Sequence, residues 1–266
     1  MSEDNSDKRK HKRIKLELSV SVDVKDTDRT FKGSTMNISL GGMVVIMDGF
    51  IPLGKNILLS FKIPEGMSLE NIAAKIIRES EIDDRFLYCL EFLGMPSEGG
   101  AAISALVDTI HFIKKIKIFS MLSDEEALTL KHFGREVDYP EGKIIFNEGE
   151  DGNDFFAVID GQVRISKKSN VDGKSEEVLA LIKEGEYFGE MALFDEGLRT
   201  AIAAAHTNCK LFAITADQFN NLIRNNQKLA IKILLGFIRT LSKRLKSMNQ
   251  EMVDLLFSEA AHNETK

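Results

Sequence analysis

The 266-residue sequence predicts a mainly β fold with α, built as two strand-rich domains and a long closing helix. Three patterns point there. Short apolar or alternating runs bounded by turn residues fill residues 14–94. A second set of such runs, with glycines at its turns, fills residues 136–214. From Lys228 onward no proline and one glycine, Gly236, interrupt a helical spacing of apolar residues.

Taken in order, residues 1–7 are polar and expected to be a disordered tail. A basic cluster, "KRKHKRIK" (Lys8–Lys15), stands just ahead of the first strand. Six runs follow: "IKLELSVSVDV", "RTFKGSTMNIS", "GGMVVIMDG", "NILLSFKIP", "ENIAAKIIRESEI" and "RFLYCLEFLG". Breaks at "KDTD", "GG", "IPLGK", "PEGMS" and "DD" separate them, and six strands of this length suit a small closed or nearly closed barrel over residues 8–100. "PSEGG" stops the strands. Ile103, Leu106, Val107, Ile110, Ile113 and Ile116 then recur at helical spacing, which predicts a connecting helix over 101–118.

The second domain is expected over 119–224. "SDEE" (Ser123–Glu126) reads as a capping box for a short helix from Asp124 to about Gly134. Strand runs resume at Glu136, with glycines at 142, 149, 161 and 185 in turns and "NVDGKS" as a hairpin tip. Thr215 with Gln218 forms a second box that opens the last helices. Over 225–266, Leu229, Ile233, Phe237, Leu241, Leu245, Met248, Met252 and Leu255 recur every three or four residues. Such a seam suits pairing with a second copy, because it runs past the reach of one small domain at about 1.5 Å per residue. A homodimer is expected.

Composition narrows the function. The chain is 43% apolar and 29% charged with a net charge of −6, a balance for globular cores and against a dedicated nucleic-acid binder. No apolar run approaches about 18 residues, and the basic N-terminus has no apolar segment behind it, so neither a membrane span nor a secretory signal is expected. Cys89 and Cys209 lie in apolar alternating segments and read as buried free thiols of a cytoplasmic protein. The five histidines show no metal spacing, and no Walker loop, nucleophile elbow or cyclase or phosphodiesterase signature is present. Neither a cofactor, a metal nor an enzymatic activity is expected.

"FGEMALFDEGLRTA" (Phe188–Ala201) places Glu190 and Arg199 among small and apolar residues. An internal ion pair is one explanation, and a small anionic ligand needing both groups is another. Gly189 lets a phosphate approach the backbone, and the amides of Glu190, Met191 and Ala192 in a first helical turn can receive it. Arg199 can add a bidentate contact to phosphate oxygens, while Glu190 suits a neutral hydroxyl such as a ribose 2′-OH.

This stretch resembles the phosphate-binding cassette of cyclic nucleotide-binding domains, as in kinase regulatory subunits and the catabolite activator protein. "FSMLSDEEALTLKHF", "PEGKIIFNEGEDGNDFFAVIDGQVRI" and "ITADQFNNLI" resemble the family's entry helix, first strands and lead to the last helix. The resemblance covers about Phe119 to Phe257 and implies a β-roll (jelly roll) that encloses a 3′,5′-cyclic nucleotide, cAMP or cGMP. By it Glu190 would hold the ribose hydroxyl and Arg199 the cyclic phosphate. Amides near Gly189 and Ala192 would complete the phosphate shell within the cassette's Phe188, Met191 and Ala201. Thr200, where the family often has alanine or serine for adenine, keeps a guanine open. "LSKRLKSMNQEMVDLLF" resembles the dimer helix; by that match Arg244 would approach Glu190 and Asn249 would reach a base, in its own chain or in the partner chain, and Met248–Asn249 replaces the family's serine/threonine pair.

In the first domain, Arg9 and Arg13 lie four apart, and "NISLGG" puts Asn37, Ser39 and Gly42 at a strand end. Guanidinium planes can stack on purines and fork onto phosphates, and Asn and Ser beside a glycine turn can hydrogen-bond a base edge. RxxxR followed by (D/N)xSxxG resembles PilZ domains, bacterial cyclic di-GMP receptors, over about Lys8 to Lys117. Lys8, Arg9, Arg13, Asn37, Ser39 and Gly42 are the implied contacts. The expectation is a bacterial second-messenger receptor that binds cyclic di-GMP and cAMP or cGMP, and couples them allosterically to control a protein partner. The chain stops soon after the helix, so the helix-turn-helix of DNA-binding relatives, and DNA binding with it, is not expected. The competing expectation is an interaction scaffold built on the same two folds that binds neither ligand.

Overall fold

The computed structural model describes residues 11–263 except 26, 28, 65, 169–175, 195 and 196, with side chains as far as Asp254. Residues 1–7, Lys8, Arg9 and the hairpin tip at 170–175 lie outside the described residues. The chain divides into two compact units, Met1–His111 with Ser123–Glu125, and Phe112–Leu122 with Glu126–Lys266.

The first unit is a closed antiparallel barrel of six strands. These are β1 (Ser19–Val24), β2 (Thr30–Ser39), β3 (Gly42–Met47), β4 (Asn56–Lys62), β5 (Ser68–Ile82) and β6 (Arg85–Phe92), in the order β1-β2-β3-β6-β5-β4. Period-two burial drives the first of them: Val20, Val22 and Val24 point into the core, as do Ile14, Leu16 and Leu18 ahead of them. The run predicted as a strand from Ile14 begins as a looser edge. Ile14 and Ile38 exchange backbone bonds of 3.0 and 2.9 Å. The buried Thr35 hydroxyl then accepts from the Leu18 amide at 2.9 Å and donates to the Leu16 carbonyl at 2.5 Å, replacing ladder bonds.

The β5–β6 turn is Asp83–Asp84, with φ of 49° and 60°, the left-handed pair that matches the twist of a hairpin. Tyr88 is fully buried, and its hydroxyl accepts from the Ile51 amide at 2.7 Å. Burial raises the pKa of that phenol, with Glu79 adding to the rise. Helix α1 spans Ser97–Lys115 and is followed by a 3₁₀ turn at Lys117–Phe119, where the sequence predicted one helix over 101–118. Ile116 is extended (φ −67°, ψ 122°) and breaks the helix there.

Helix α2 (Asp124–Lys131) follows and ends short of the predicted Gly134 in tight turns. Eight strands follow: β7 (Arg135–Tyr139), β8 (Ile144–Phe146), β9 (Asp154–Asp160), β10 (Gln162–Lys168), β11 (Glu176–Lys183), β12 (Tyr187–Phe188), β13 (Ile202–Ala205) and β14 (Cys209–Thr215). They form two four-stranded sheets, β11-β10-β13-β8 and β12-β9-β14-β7. Phe156, Val158, Val163, Phe188, Leu211 and small residues such as Ala203 and Ala213 fill the space between them. Cys209 is buried in this core and Cys89 is half-buried in the barrel; both are free.

Helix α3 (Ala216–Asn225) opens on the predicted box. Thr215 Oγ1 accepts from the Gln218 amide at 3.1 Å, and Gln218 Oε1 accepts from the Thr215 amide at 2.9 Å. Helix α4 (Gln227–Asn263) splits the predicted stripe in two. Leu229, Ile233 and Phe237 are buried, Phe237 against the rings of Phe155, Tyr187 and Phe194 at 5.2–5.6 Å. Leu241, Leu245, Met248 and Met252 are exposed. Gly236 lies where a Cβ would run into the Ile118 carbonyl oxygen, so its missing side chain lets α4 touch the 3₁₀ turn.

Candidate functional site

Two chain segments converge on one guanidinium. After β12, Gly189 takes a left-handed conformation (φ 71°, ψ 16°) and starts a 3₁₀ turn, Glu190–Leu193. A Cβ at Gly189 would lie 3.0 Å from Arg199 Nη1, so glycine is required by both dihedral and space. The predicted helical turn is thus a tighter one. The Ala192 amide bonds the Gly189 carbonyl at 3.3 Å, and the donors at the start of the turn are those without a partner three residues back.

Arg199 is held from its backbone outward. Its amide donates to the Glu150 carbonyl and its carbonyl accepts from the Gly149 amide, each at 2.8 Å. The side chain is 8% exposed and lies 4.1 Å over the Phe146 ring. Nη2 donates to the Asp154 carbonyl at 2.9 Å, and Nε is buried with no hydrogen-bond partner among the described residues. Burial lowers the Arg199 pKa, opposed by the Asp154 and Glu150 carboxylates. A guanidinium so placed remains charged, with donor capacity unused.

Glu190 does not pair with Arg199. Its Oε1 accepts from Arg244 Nη1 of α4 at 3.0 Å, and the Arg244 guanidinium stands 4.8 Å over the Tyr187 ring. The internal Glu190–Arg199 pair that would explain the motif without a ligand is therefore absent from the geometry.

Between these groups lies a cavity of about 690 Å³. Phe188, Gly189, Glu190, Met191, Ala192, Arg199, Thr200, Ala201 and Arg244 line it. Asn249 does not; it is exposed on α4, since five residues beyond Arg244 carry it about 7.5 Å along the axis. Sequence reasoning missed the walls, Phe146, Gly152, Ile165, Leu181, Ile182, Glu186 and Tyr187. The alternation in "RISKK" and "LALIK" was their signal, but which sheet face turns inward is decided by pairing between distant strands. The cavity joins a buried cation at one end, a carboxylate held by Arg244, and a flat apolar wall from β10 and β11. An anionic ring with a hydroxyl and a planar base meets all three.

In the barrel, the lead segment is stapled beside the second motif. Arg13 is exposed immediately before Ile14, whose bridge to Ile38 falls between Asn37 and Ser39. Asn37 Oδ1 is buried and has no hydrogen-bond partner among the described residues. Ser39 is buried and its Oγ donates to the Gly42 carbonyl at 3.0 Å. Gly42 faces β6, where a Cβ would run into the Leu90 carbonyl oxygen, so its missing side chain also serves strand packing. His11 packs against Gly41. Among the described residues no helix is long and apolar enough to cross a membrane.

Comparison with known proteins follows the same division. The PilZ domain model matches residues 7–109, and the cyclic nucleotide-binding domain model matches residues 136–226. The cyclic AMP receptor protein of Thermus thermophilus is 37% identical over 152 residues, 57% of this chain and 67% of that protein. A CRP-like cAMP-activated global transcriptional regulator of Mycobacterium tuberculosis is 31% identical over 149 residues, 56% of this chain and 64% of that one. The crystal structure of a cyclic nucleotide-binding domain from Methylobacillus flagellatus shares the fold, with a TM-score of 0.50 at 23% identity over 56% of this chain and 83% of that one. This chain spans about two thirds of the length of the two regulators. The chain belongs to the cyclic nucleotide-binding domain family and carries a PilZ domain ahead of that domain.

Proposed function

We propose that the protein is a second-messenger receptor without catalytic activity, which binds a 3′,5′-cyclic nucleotide in the roll and cyclic di-GMP at the barrel. The observation that carries the reading is Arg199. It is a desolvated guanidinium with an unpartnered Nε beside a glycine turn, and Glu190 is turned instead to Arg244. Burying a charge without full partners is costly, and a cyclic phosphate would supply the missing acceptors.

Between purines, cAMP is favoured. The 37% identical relative is named a cyclic AMP receptor protein, and the wall formed by Ile165, Leu181 and Ile182 offers a base no side-chain donor. Thr200 lines the cavity and is the group through which cGMP would compete. For cyclic di-GMP, the support is the stapled lead with Arg13 and the unpartnered Asn37 Oδ1 beside it.

The exposed stripe Leu241, Leu245, Met248 and Met252 suits pairing with α4 of a second copy. The division between the units falls within helix α1, between His111 and Phe112, and this helix is the element through which the proposed coupling of the two ligands, and control of a protein target, would run. Isothermal titration of the full chain with cAMP, cGMP and cyclic di-GMP tests the reading. Heat from cAMP and from cyclic di-GMP, at independent stoichiometries, is the expected result. Silence from all three leaves the scaffold as the function.

A further inference from the structure

Glu186 lines the cavity, yet both of its oxygens are engaged away from it. Oε1 accepts from Lys117 Nζ at 2.7 Å, and Oε2 accepts from the Lys183 amide at 3.1 Å. Lys117 is the first residue of the 3₁₀ turn that follows α1, and it does not line the cavity. The turn and the end of α1 before it are fastened at three more points. The Lys117 amide donates to the Gly185 carbonyl at 3.2 Å, Lys115 Nζ donates to Glu184 Oε1 at 2.6 Å, and Ile118 lies against Gly236 of α4. Residues 115–119 are thus gripped between the cavity rim at 184–186 and the helix that carries Arg244.

Charge strengthens the link. Burial pushes the Glu186 carboxyl up, but the Lys117 ammonium, the Lys183 amide and the Arg244 guanidinium outweigh it and hold the group below its ordinary range. Arg244 therefore stands in the field of two carboxylates, Glu190 by direct contact and Glu186 at longer range. A ligand hydroxyl that draws on Glu190 changes how Arg244 is shared, and Glu186 is where that change meets Lys117.

Resting on the cyclic-nucleotide reading of the cavity, we propose that Glu186 is a positioning residue that ties the rim to the turn after α1, so that nucleotide affinity depends on Lys117, a residue outside the cavity. The pair is partly exposed, with side chains 63% and 31% accessible, so its effect is modest. Full-length protein titrated calorimetrically with cAMP provides the test, using Lys117→Met, Glu186→Gln, the double variant and Lys117→Arg. Each single variant should weaken binding about two- to fivefold, the size expected of a partly exposed pair. The double variant should weaken it no further than the larger single change, and Lys117→Arg, which keeps the cation, should retain the affinity of the unmodified chain. Normal binding by the unmodified chain with unchanged affinity in Lys117→Met, or strictly additive losses, would overturn this proposal alone. No heat from cAMP or cGMP in the unmodified chain would overturn the receptor reading and this proposal with it.

Discussion

Gly152 gives the sharpest test of the Arg199 geometry. It is not in the left-handed region, so replacing it strains no dihedral, and the space beside it decides the outcome. A Cβ built there would overlap Nε of Arg199 and stand 2.6 Å from both Cζ and Nη2, well inside ordinary contact. The guanidinium must therefore move away by more than about an ångström, and as the end of a flexible side chain it can do so without unfolding the roll. Movement costs the fork its alignment, so one of two charge-assisted bonds to a cyclic phosphate is lost, worth roughly 1.5–3 kcal/mol. At about 1.4 kcal/mol per decade, Gly152→Ala should weaken cAMP binding roughly ten- to 150-fold. Calorimetry of the full chain measures this, with cyclic di-GMP titrated into the same sample as the control. A melting temperature near that of the unmodified chain should accompany the loss. Unchanged cAMP affinity would mean the phosphate is not read by Arg199 from this position, and the site would have to be redrawn.

Arg199→Ala should remove cAMP binding and spare cyclic di-GMP, while Arg9→Ala or Arg13→Ala should do the reverse; loss of both ligands from either change would refute the assignment. Tyr88→Phe leaves the buried Ile51 amide without its 2.7 Å partner. That orphan should destabilise the barrel by about 1–3 kcal/mol, lowering its melting transition by at least about 4 °C in differential scanning calorimetry. Leu245→Lys puts a charge into the exposed stripe of α4, and sedimentation should then report a monomer where the unmodified chain sediments as a dimer.

Much of the fold was legible because its signals are local. Period-two burial from Ile14 to Val24 marks a strand whatever the partner, and Thr215 with Gln218 marks a helix start through contacts three residues apart. The cassette was equally readable, since Gly189, Glu190 and Arg199 come from one stretch of chain. The walls were not: Phe146 and Gly152 reach Arg199 only because β8 pairs with β13 and the loop after β8 bridges Leu198 through Asp151. Glu186 was hidden for a different reason. An acid in "KEGEY" looks like a solvated turn until Lys117, 69 positions earlier, is folded against it. Asn249 lies outside the cavity of its own chain; helical spacing fixes its face on α4 but cannot say where the cavity stops.

A ring of six paired strands has no loose border from which to peel. Fraying, the cheap first step by which an open sheet lets water reach its amides, is denied to the barrel, so its central amides should exchange only when the whole ring gives way. The roll differs, because β11 ends its sheet with Val178 and Leu179 turned to solvent. Deuterium should therefore enter one half of the molecule strand by strand and the other all at once.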